Sequence, residues 1–149
     1  MFVGDYEDTK IPVDKSLITR IENLLNQVRP EIVFIHYGQD THQDHRNLCD
    51  AAISATRFVP NVLFYEGPST RDFHPSVFVD ISSTFSKKLS ALNAHASQVT
   101  RTKIESLTIV DVALATAQFR GTQVHIQLAE GFVPLRVLQA IPALSTSGS

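Results

Sequence analysis

The sequence predicts an α/β layered fold with a mainly parallel sheet, because short apolar runs alternate with segments of helical periodicity. The runs at 31–36 and 61–66 are almost continuously apolar, as in strands that are buried on both faces. Leucine and isoleucine recur at helical spacing over 14–28, where Asp14 is the expected N-cap. With 149 residues and a hydrophobic content of 43%, the chain is long enough to bury the core of one domain.

The rest of the chain continues the same alternation. In chain order, we expect a helix, a strand, two helices and a short extended stretch, at 44–57, 77–81, 83–97, 103–119 and 124–135. Gly121 is expected to end the last of these helices. In sheets of this kind, ligands bind just beyond the carboxyl ends of the strands. The loop after 31–36 is therefore the first place to look for a site.

Composition excludes several classes of function. The formal net charge is −2, from 13 Lys+Arg against 15 Asp+Glu, which argues against a dedicated nucleic-acid binder. No apolar run approaches the ~20 residues of a membrane span, and the first residues lack the pattern of a signal peptide. The single cysteine, Cys49, excludes an internal disulfide and fits a reducing setting. We therefore expect a cytoplasmic protein.

Three of the six histidines fall within one ten-residue window, as His36, His42 and His45, and Asp40 and Asp44 share that window. Imidazole and carboxylate groups together suit zinc and similar divalent ions. The spacing of three between His42 and His45 places them on one face if the second helix has begun. A solvated loop with ordinary helix caps explains the same residues equally well, so spacing alone leaves metal binding open.

These residues resemble a known family. The segment 33–36 running into 40–46 resembles the "D-x-H-P-D-H" signature of the LmbE-like, or PIG-L, zinc-dependent deacetylases, which act on N-acetylglucosamine-containing substrates. The segments 68–81, 87–98 and 120–132 are similar to later family motifs and occur in the family's order. The resemblance implies a Rossmann-like three-layer fold, zinc as the cofactor and an N-acetylated sugar conjugate as the substrate.

The resemblance also implies roles for individual residues. His45 matches the family's histidine zinc ligand, and His42 matches the histidine that stabilises the oxyanion or serves as the acid. Asp44 matches the carboxylate that orients this histidine, as in a catalytic triad. Gln43 stands where the family usually has proline, a change that removes no ligand.

Three further residues are candidates for binding substrate. Asp8 resembles a substrate-contacting aspartate of the family. Asp40 either caps the second helix or contacts substrate, and Arg71 either touches a sugar or forms a surface salt bridge. His36, which ends a strand beside the loop, is interpreted as a wall of the site, with a substitute metal ligand as the alternative.

One family motif, "A-H-P-D-D-E", has no counterpart in the sequence. It supplies the two other zinc ligands and the general base. We therefore expect residues 1–144 to form a partial deacetylase domain without its first βαβ region, followed by a disordered tail at 145–149. On this view the chain alone binds zinc weakly or not at all and is inactive. A complementing N-terminal segment or a homo-oligomer is then the expected partner.

Two other functions are kept open. The first is a non-catalytic remnant that acts as a binding or oligomerisation module. The second is a metal site built from His36, Asp40, His42 and His45. If a central strand is missing, the strand at 31–36 should expose an apolar edge, which would invite pairing with another chain.

Overall fold

The computed structural model describes residues 4–94 and 106–138, and it confirms the α/β class. In chain order, the helices and strands are α1 (Lys15–Val28), β1 (Ile32–His36), α2 (Gln43–Ala55), β2 (Asn61–Tyr65), β3 (Val77–Asp80), α3 (Phe85–Ala94), α4 (Ile109–Gln123) and β4 (Ala129–Arg136). Parts of the two helices predicted at 83–97 and 103–119, and the tail predicted at 145–149, lie outside the described residues. None of the described helices is both long and apolar enough to cross a membrane.

The four strands form one sheet in the order β1-β2-β4-β3. β1 and β2 pair in parallel, whereas β4 lies between β2 and β3 and is antiparallel to both. Three of the four described strands therefore share one direction, which confirms the expected mainly parallel sheet, and β4 is the antiparallel exception. Among the described residues, α3 and α4 lie between β3 and β4 in the chain. The second of them returns the chain to the end where β3 finished, so Ala129 begins β4 beside Asp80.

Helices cover both faces of the sheet, in agreement with a three-layer fold. On one face, α1 and α2 pack over a buried core that consists of Ile35, Cys49, Ala52, Val62 and Phe64. On the other face, α3 and α4 enclose a second cluster that consists of Ile81, Phe85, Ala117 and Leu128. Burial raises the pKa of the Cys49 thiol to about 11, so this cysteine is a small core residue and not a nucleophile.

The starts of the first two helices follow local capping chemistry. The Asp14 carboxylate accepts a hydrogen bond from the Leu17 N–H at 2.9 Å and begins α1, as the sequence predicts. α2 begins directly after His42, whose side chain accepts from the backbone N–H of Asp44. A histidine of the predicted site is therefore also the N-cap of the helix that carries His45.

Gly121 does not end its helix, contrary to prediction, because α4 continues to Gln123. A Cβ atom at position 121 would lie 2.6 Å from the carbonyl oxygen of Ile126 and 2.8 Å from that of Gln127. The glycine is required because the chain turns back tightly against the helix at this point. The sequence pattern assigns Gly121 to helix termination, but the structure requires a glycine there for close backbone packing.

β1 lies at the edge of the sheet and, among the described residues, pairs only with β2. On the face of β1 toward the cleft, Ile32 and Phe34 are 46% and 53% exposed, while Ile35 on the opposite face is 4% exposed in the core. The apolar edge expected for this strand is present in the described part of the chain.

Candidate functional site

The loops that follow β1 and β2 are joined to each other at the carboxyl ends of these strands, where the sequence places the site. The backbone N–H of Thr41 donates to the carbonyl of Ser69 at 3.1 Å, and that of Arg71 donates to Gln39 at 2.7 Å. Asp40 and Thr70, which lie between these residues, form an isolated antiparallel β-bridge. The histidine loop is therefore held by a second loop and is not a free solvated turn.

Asp40 is the buried centre of this junction, with a side chain that is 0% exposed. Its carboxylate accepts hydrogen bonds from the His42 backbone N–H at 2.8 Å and from the Thr70 hydroxyl at 3.1 Å. Its Oδ2 also lies 3.2 Å from Nδ1 of His45, an approach that is close but not aligned as a regular hydrogen bond. No substrate can reach a carboxylate in this position, so the structure favours a positioning role over substrate contact.

The environment of Asp40 keeps it ionised. Burial alone raises the pKa of the carboxyl group, but the backbone N–H of His42, the side chain of Ser69 and the imidazole of His45 outweigh it and lower the pKa to about 2. A buried carboxylate beside one ring nitrogen is the arrangement that orients a histidine so that its other nitrogen can bind a metal. Asp40 therefore prepares the His45 ring.

Three imidazole rings stack at the edge of the junction. The His45 ring lies 4.2 Å from that of His36 and 4.8 Å from that of His42, with interplanar angles of 20° and 29°. The Tyr65 hydroxyl lies 3.0 Å from the His36 ring nitrogens, and burial followed by the neighbouring His45 lowers the pKa of His36. In the described part of the chain, the three histidines and Asp40 do not form a group whose ligand atoms all lie within 4.8 Å of one another. The four-residue metal site that includes Asp40 is therefore not supported.

His42 is arranged as a hydrogen-bond donor. Its Nδ1 accepts from the Asp44 backbone N–H at 3.2 Å, which places the proton of the neutral ring on Nε2. Nε2 lies 3.6 Å from Oδ1 of Asp8, which is 85% exposed. The structure thus brings Asp8 and His42 together.

The Asp44 side chain does something other than predicted. Its two carboxylate oxygens accept from the backbone N–H groups of Thr9 at 2.6 Å and Ile11 at 3.2 Å, so they anchor the N-terminal segment. The side chains of Gln43 and Asn47 donate to the carbonyls of the same two residues. It is the Asp44 backbone, and not its carboxylate, that fixes the tautomer of the neighbouring ring, because the carboxylate is already engaged.

Loss of this anchor should loosen the N-terminal segment. In Asp44→Asn, we expect the amide protons of Thr9 and Ile11 to exchange with solvent at least about tenfold faster. The reason is that two charged carboxylate oxygens are replaced by one neutral amide oxygen. Hydrogen exchange followed by NMR measures this directly. Asp50→Asn, an exposed change on the same helix, is the control and should leave both amides protected. Equal protection in Asp44→Asn would show that the anchor lies elsewhere.

A cleft of about 550 Å³ opens beside the histidines. Phe34, Tyr65 and Phe132 line it from the sheet, and His36 and His45 lie on its wall. Of the other predicted site residues, Arg71 has an exposed side chain on the loop that follows β2, and it does not line the cleft.

Two ion pairs brace the cleft, and the sequence analysis identified neither. Arg120 donates to both carboxylate oxygens of Glu66 at 2.7 Å, with side chains only 8% and 20% exposed. Lys88 donates to Glu130 at 2.6 Å. Arg120 and Glu130 belong to the segment 120–132 and Lys88 belongs to 87–98, both similar to the family, whereas Glu66 lies outside the matched segments.

The described side chains provide one position for a metal ligand, and not a complete set of ligands. Ligand atoms of Asp8, His42 and Asp44 lie within 4.8 Å of one another, but the bonds described above already engage Asp44 and one nitrogen of His42. His45 fits better, because Asp40 backs its Nδ1 and its Nε2 has no partner in the described part of the chain. Catalytic zinc takes three protein ligands. The described residues therefore offer one prepared ligand position.

Comparison with known proteins agrees with the motifs. Residues 1–56 match the family model described as "PIG-L: GlcNAc-PI de-N-acetylase". The chain is 33% identical over 101 residues to the uncharacterized deacetylase YaiS of Escherichia coli K12, covering 62% of this chain and 55% of that protein. It thus spans about half the length of that relative. Over the parts that these comparisons cover, the chain is similar to the PIG-L, or LmbE-like, deacetylases.

Solved structures share the fold. The conserved protein TT1542 of Thermus thermophilus superposes with a TM-score of 0.76 at 24% identity, over 93% of this chain and 66% of that one. The N,N'-diacetylchitobiose deacetylase of Pyrococcus horikoshii gives 0.72 at 22% identity, over 87% and 55%. GalB, a 4-carboxy-2-hydroxymuconate hydratase, gives 0.69 at 24% identity, over 93% and 65%. These likenesses establish the fold and do not assign a reaction.

Proposed function

We propose that this chain forms one wall of a metal-dependent deacetylase site that removes the acetyl group from an N-acetylated amino-sugar conjugate. The observation that carries the proposal is the His45 ring, which lies on the wall of the cleft, is approached by the buried carboxylate of Asp40 and stacks against the His42 ring. His45 is the residue that would hold zinc. The remaining ligands and the general base would come from a segment outside the described residues.

The roles of the chain's own residues follow from their contacts. A bound ion would polarise the acetyl carbonyl and lower the pKa of a water molecule. His42 would donate a hydrogen bond from Nε2 to the carbonyl oxygen as negative charge develops there. Asp40 would keep the His45 ring in one orientation, and Asp44 would hold the N-terminal segment so that Asp8 faces the substrate beside His42.

Complementation tests this proposal. We expect the chain supplemented with an N-terminal segment bearing "A-H-P-D-D-E", for example that of a full-length family member, to release acetate from an N-acetylglucosamine glycoside in the presence of zinc. His45→Ala should reduce the rate to background. His42→Asn should reduce it by about 10²–10³-fold, because Asn can still cap α2 but loses the ring donor.

The control for these variants is His74→Ala, which changes an exposed histidine that lies outside the cleft lining and should leave the rate unchanged. Circular dichroism would verify that every variant is folded. No acetate release by a folded, complemented, zinc-loaded protein would contradict the deacetylase proposal.

The open edge of β1 supports a second candidate, a non-catalytic binding or oligomerisation module. Ile32 and Phe34 expose apolar surface along a strand without a partner on its outer side in the described residues. Such edges pair readily with other chains. Zinc calorimetry of the complemented chain separates the candidates: the deacetylase proposal expects binding that His45→Ala abolishes, whereas a pure module would contribute no ligand, so His45→Ala would leave binding unchanged.

A further inference from the structure

One part of the cleft is apolar and is formed by one face of α4; we call this part the α4 limb. Ile109, Val112, Ala113 and Thr116 follow the spacing i, i+3, i+4 and i+7, so they lie on the same side of the helix. All four line the cleft. The next turns of the helix differ, because Ala117 is buried in the second core cluster. The N-terminal half of α4 thus presents a row of small and medium-sized side chains to open space.

Aromatic side chains of the sheet form the facing wall. Phe34 and Phe132 contact each other with ring centroids 5.4 Å apart, and Phe34 is 53% exposed. His36 and His45 line the same cleft, so the limb is continuous with the candidate catalytic wall. The total volume of about 550 Å³ lies within the range of clefts that enclose ligands larger than one sugar ring.

The carboxylates and ammonium that line the cleft are already paired. Glu66 is held bidentately by Arg120, and Lys88 is paired with Glu130. A charged ligand group entering the limb would find no free counter-charge among the described lining residues and would lose its own hydration. An uncharged apolar group would meet no such penalty. The pairing of the lining charges therefore favours an uncharged, apolar occupant.

We propose that the α4 limb binds an uncharged alkyl or aryl aglycone of the amino-sugar conjugate, with the N-acetyl group directed toward His45. The proposal rests on the proposed deacetylase function for the orientation of the sugar. The affinity of the limb for an apolar aglycone is a separate property of this chain, and it requires neither metal nor turnover.

Three glycosides of N-acetylglucosamine test it with the chain alone: the octyl, the methyl and the 7-carboxyheptyl compounds. Calorimetry below the micelle-forming concentration should show octyl binding at least about tenfold tighter than either of the others, since burial of two methylene groups is enough for that difference. NMR titration should shift the amides of 109–116. Equal affinity for octyl and methyl glycosides would overturn the proposal.

Matched variants locate the limb. Val112→Asp should remove the preference for octyl, and the near-isosteric Val112→Thr should weaken it several-fold while leaving the fold intact. Leu114→Asp places the same charge on the same helix outside the cleft lining and should retain the preference. An equal loss in Leu114→Asp would indicate nonspecific adsorption and contradict the proposal. Octyl binding without acetate release after complementation would contradict the deacetylase proposal but would still support apolar binding by the α4 limb.

Discussion

Replacing Arg120 by methionine should lower the free energy of unfolding by about 3–5 kcal/mol, the range for breaking one partner of a buried ion pair. The Arg120 side chain is 8% exposed and donates to both oxygens of Glu66. Methionine fills part of the space but leaves the carboxylate without its counter-charge. Urea denaturation of the chain, followed by circular dichroism, measures the change.

Arg71→Met is the matched control, because Arg71 is exposed on its loop and should change stability by less than about 0.5 kcal/mol. The double variant Glu66→Leu/Arg120→Met should recover part of the loss, since it leaves no uncompensated charge. A loss below about 1 kcal/mol in Arg120→Met would show that this pair does not join α4 to the end of β2. The same pair braces the cleft, so such a result would also weaken the account of its shape.

The parts of the fold that depend on local patterns could be predicted from the sequence. β1, β2 and β3 begin and end within one residue of the runs 31–36, 61–66 and 77–81, because apolar continuity reports burial on both faces. Asp14 could be identified as a cap because capping involves residues only three apart. The location of the site followed from the position of the histidine loop at the end of a strand.

The features that depend on distant partners could not be predicted. The direction of β4 is set by how α3 and α4 return the chain, and no local pattern reports it. Gly121 carries a helix-ending signal, yet its true constraint is the approach of the backbone at 126–127. Glu66 and Arg120 are 54 positions apart, so nothing in either neighbourhood indicates that they pair.

In the candidate site, the sequence likewise identifies the residues but not the contacts that their atoms make. The motif brought attention to Asp40, Asp44 and His45, and all three lie in the site. It did not reveal that Asp40 backs His45 or that the Asp44 carboxylate anchors Thr9, because these contacts depend on the loop after β2 and on the N-terminal segment. A motif specifies which side chains meet, while the surrounding chain decides which atoms are engaged.

The buried carboxylate of Asp40 should make the chain sensitive to acid. Its pKa of about 2 in the folded protein lies below the ordinary value of 3.8, so ionised Asp40 stabilises the fold. That stabilisation, about 2 kcal/mol, is present in full above roughly pH 4 and is lost as the pH falls through about 2. Urea denaturation of wild type and Asp40→Asn between pH 2 and pH 7 should show a difference that is largest at neutral pH and shrinks toward zero in acid.

The asparagine variant isolates the charge, because it keeps the size of the side chain and one oxygen for the His42 N–H or the Thr70 hydroxyl. Asp40→Ala removes every acceptor and should lose about 2–4 kcal/mol at neutral pH, since two buried donors are left without a partner. Glu31→Gln, an exposed carboxylate next to β1, is the control and should follow the wild-type profile. If Asp40→Asn differed from wild type by the same amount at pH 2 and pH 7, its effect would come from the lost acceptor oxygen and not from the charge. The carboxylate would then not be the ionised group that orients His45, and the prepared metal-ligand position would lose its main support.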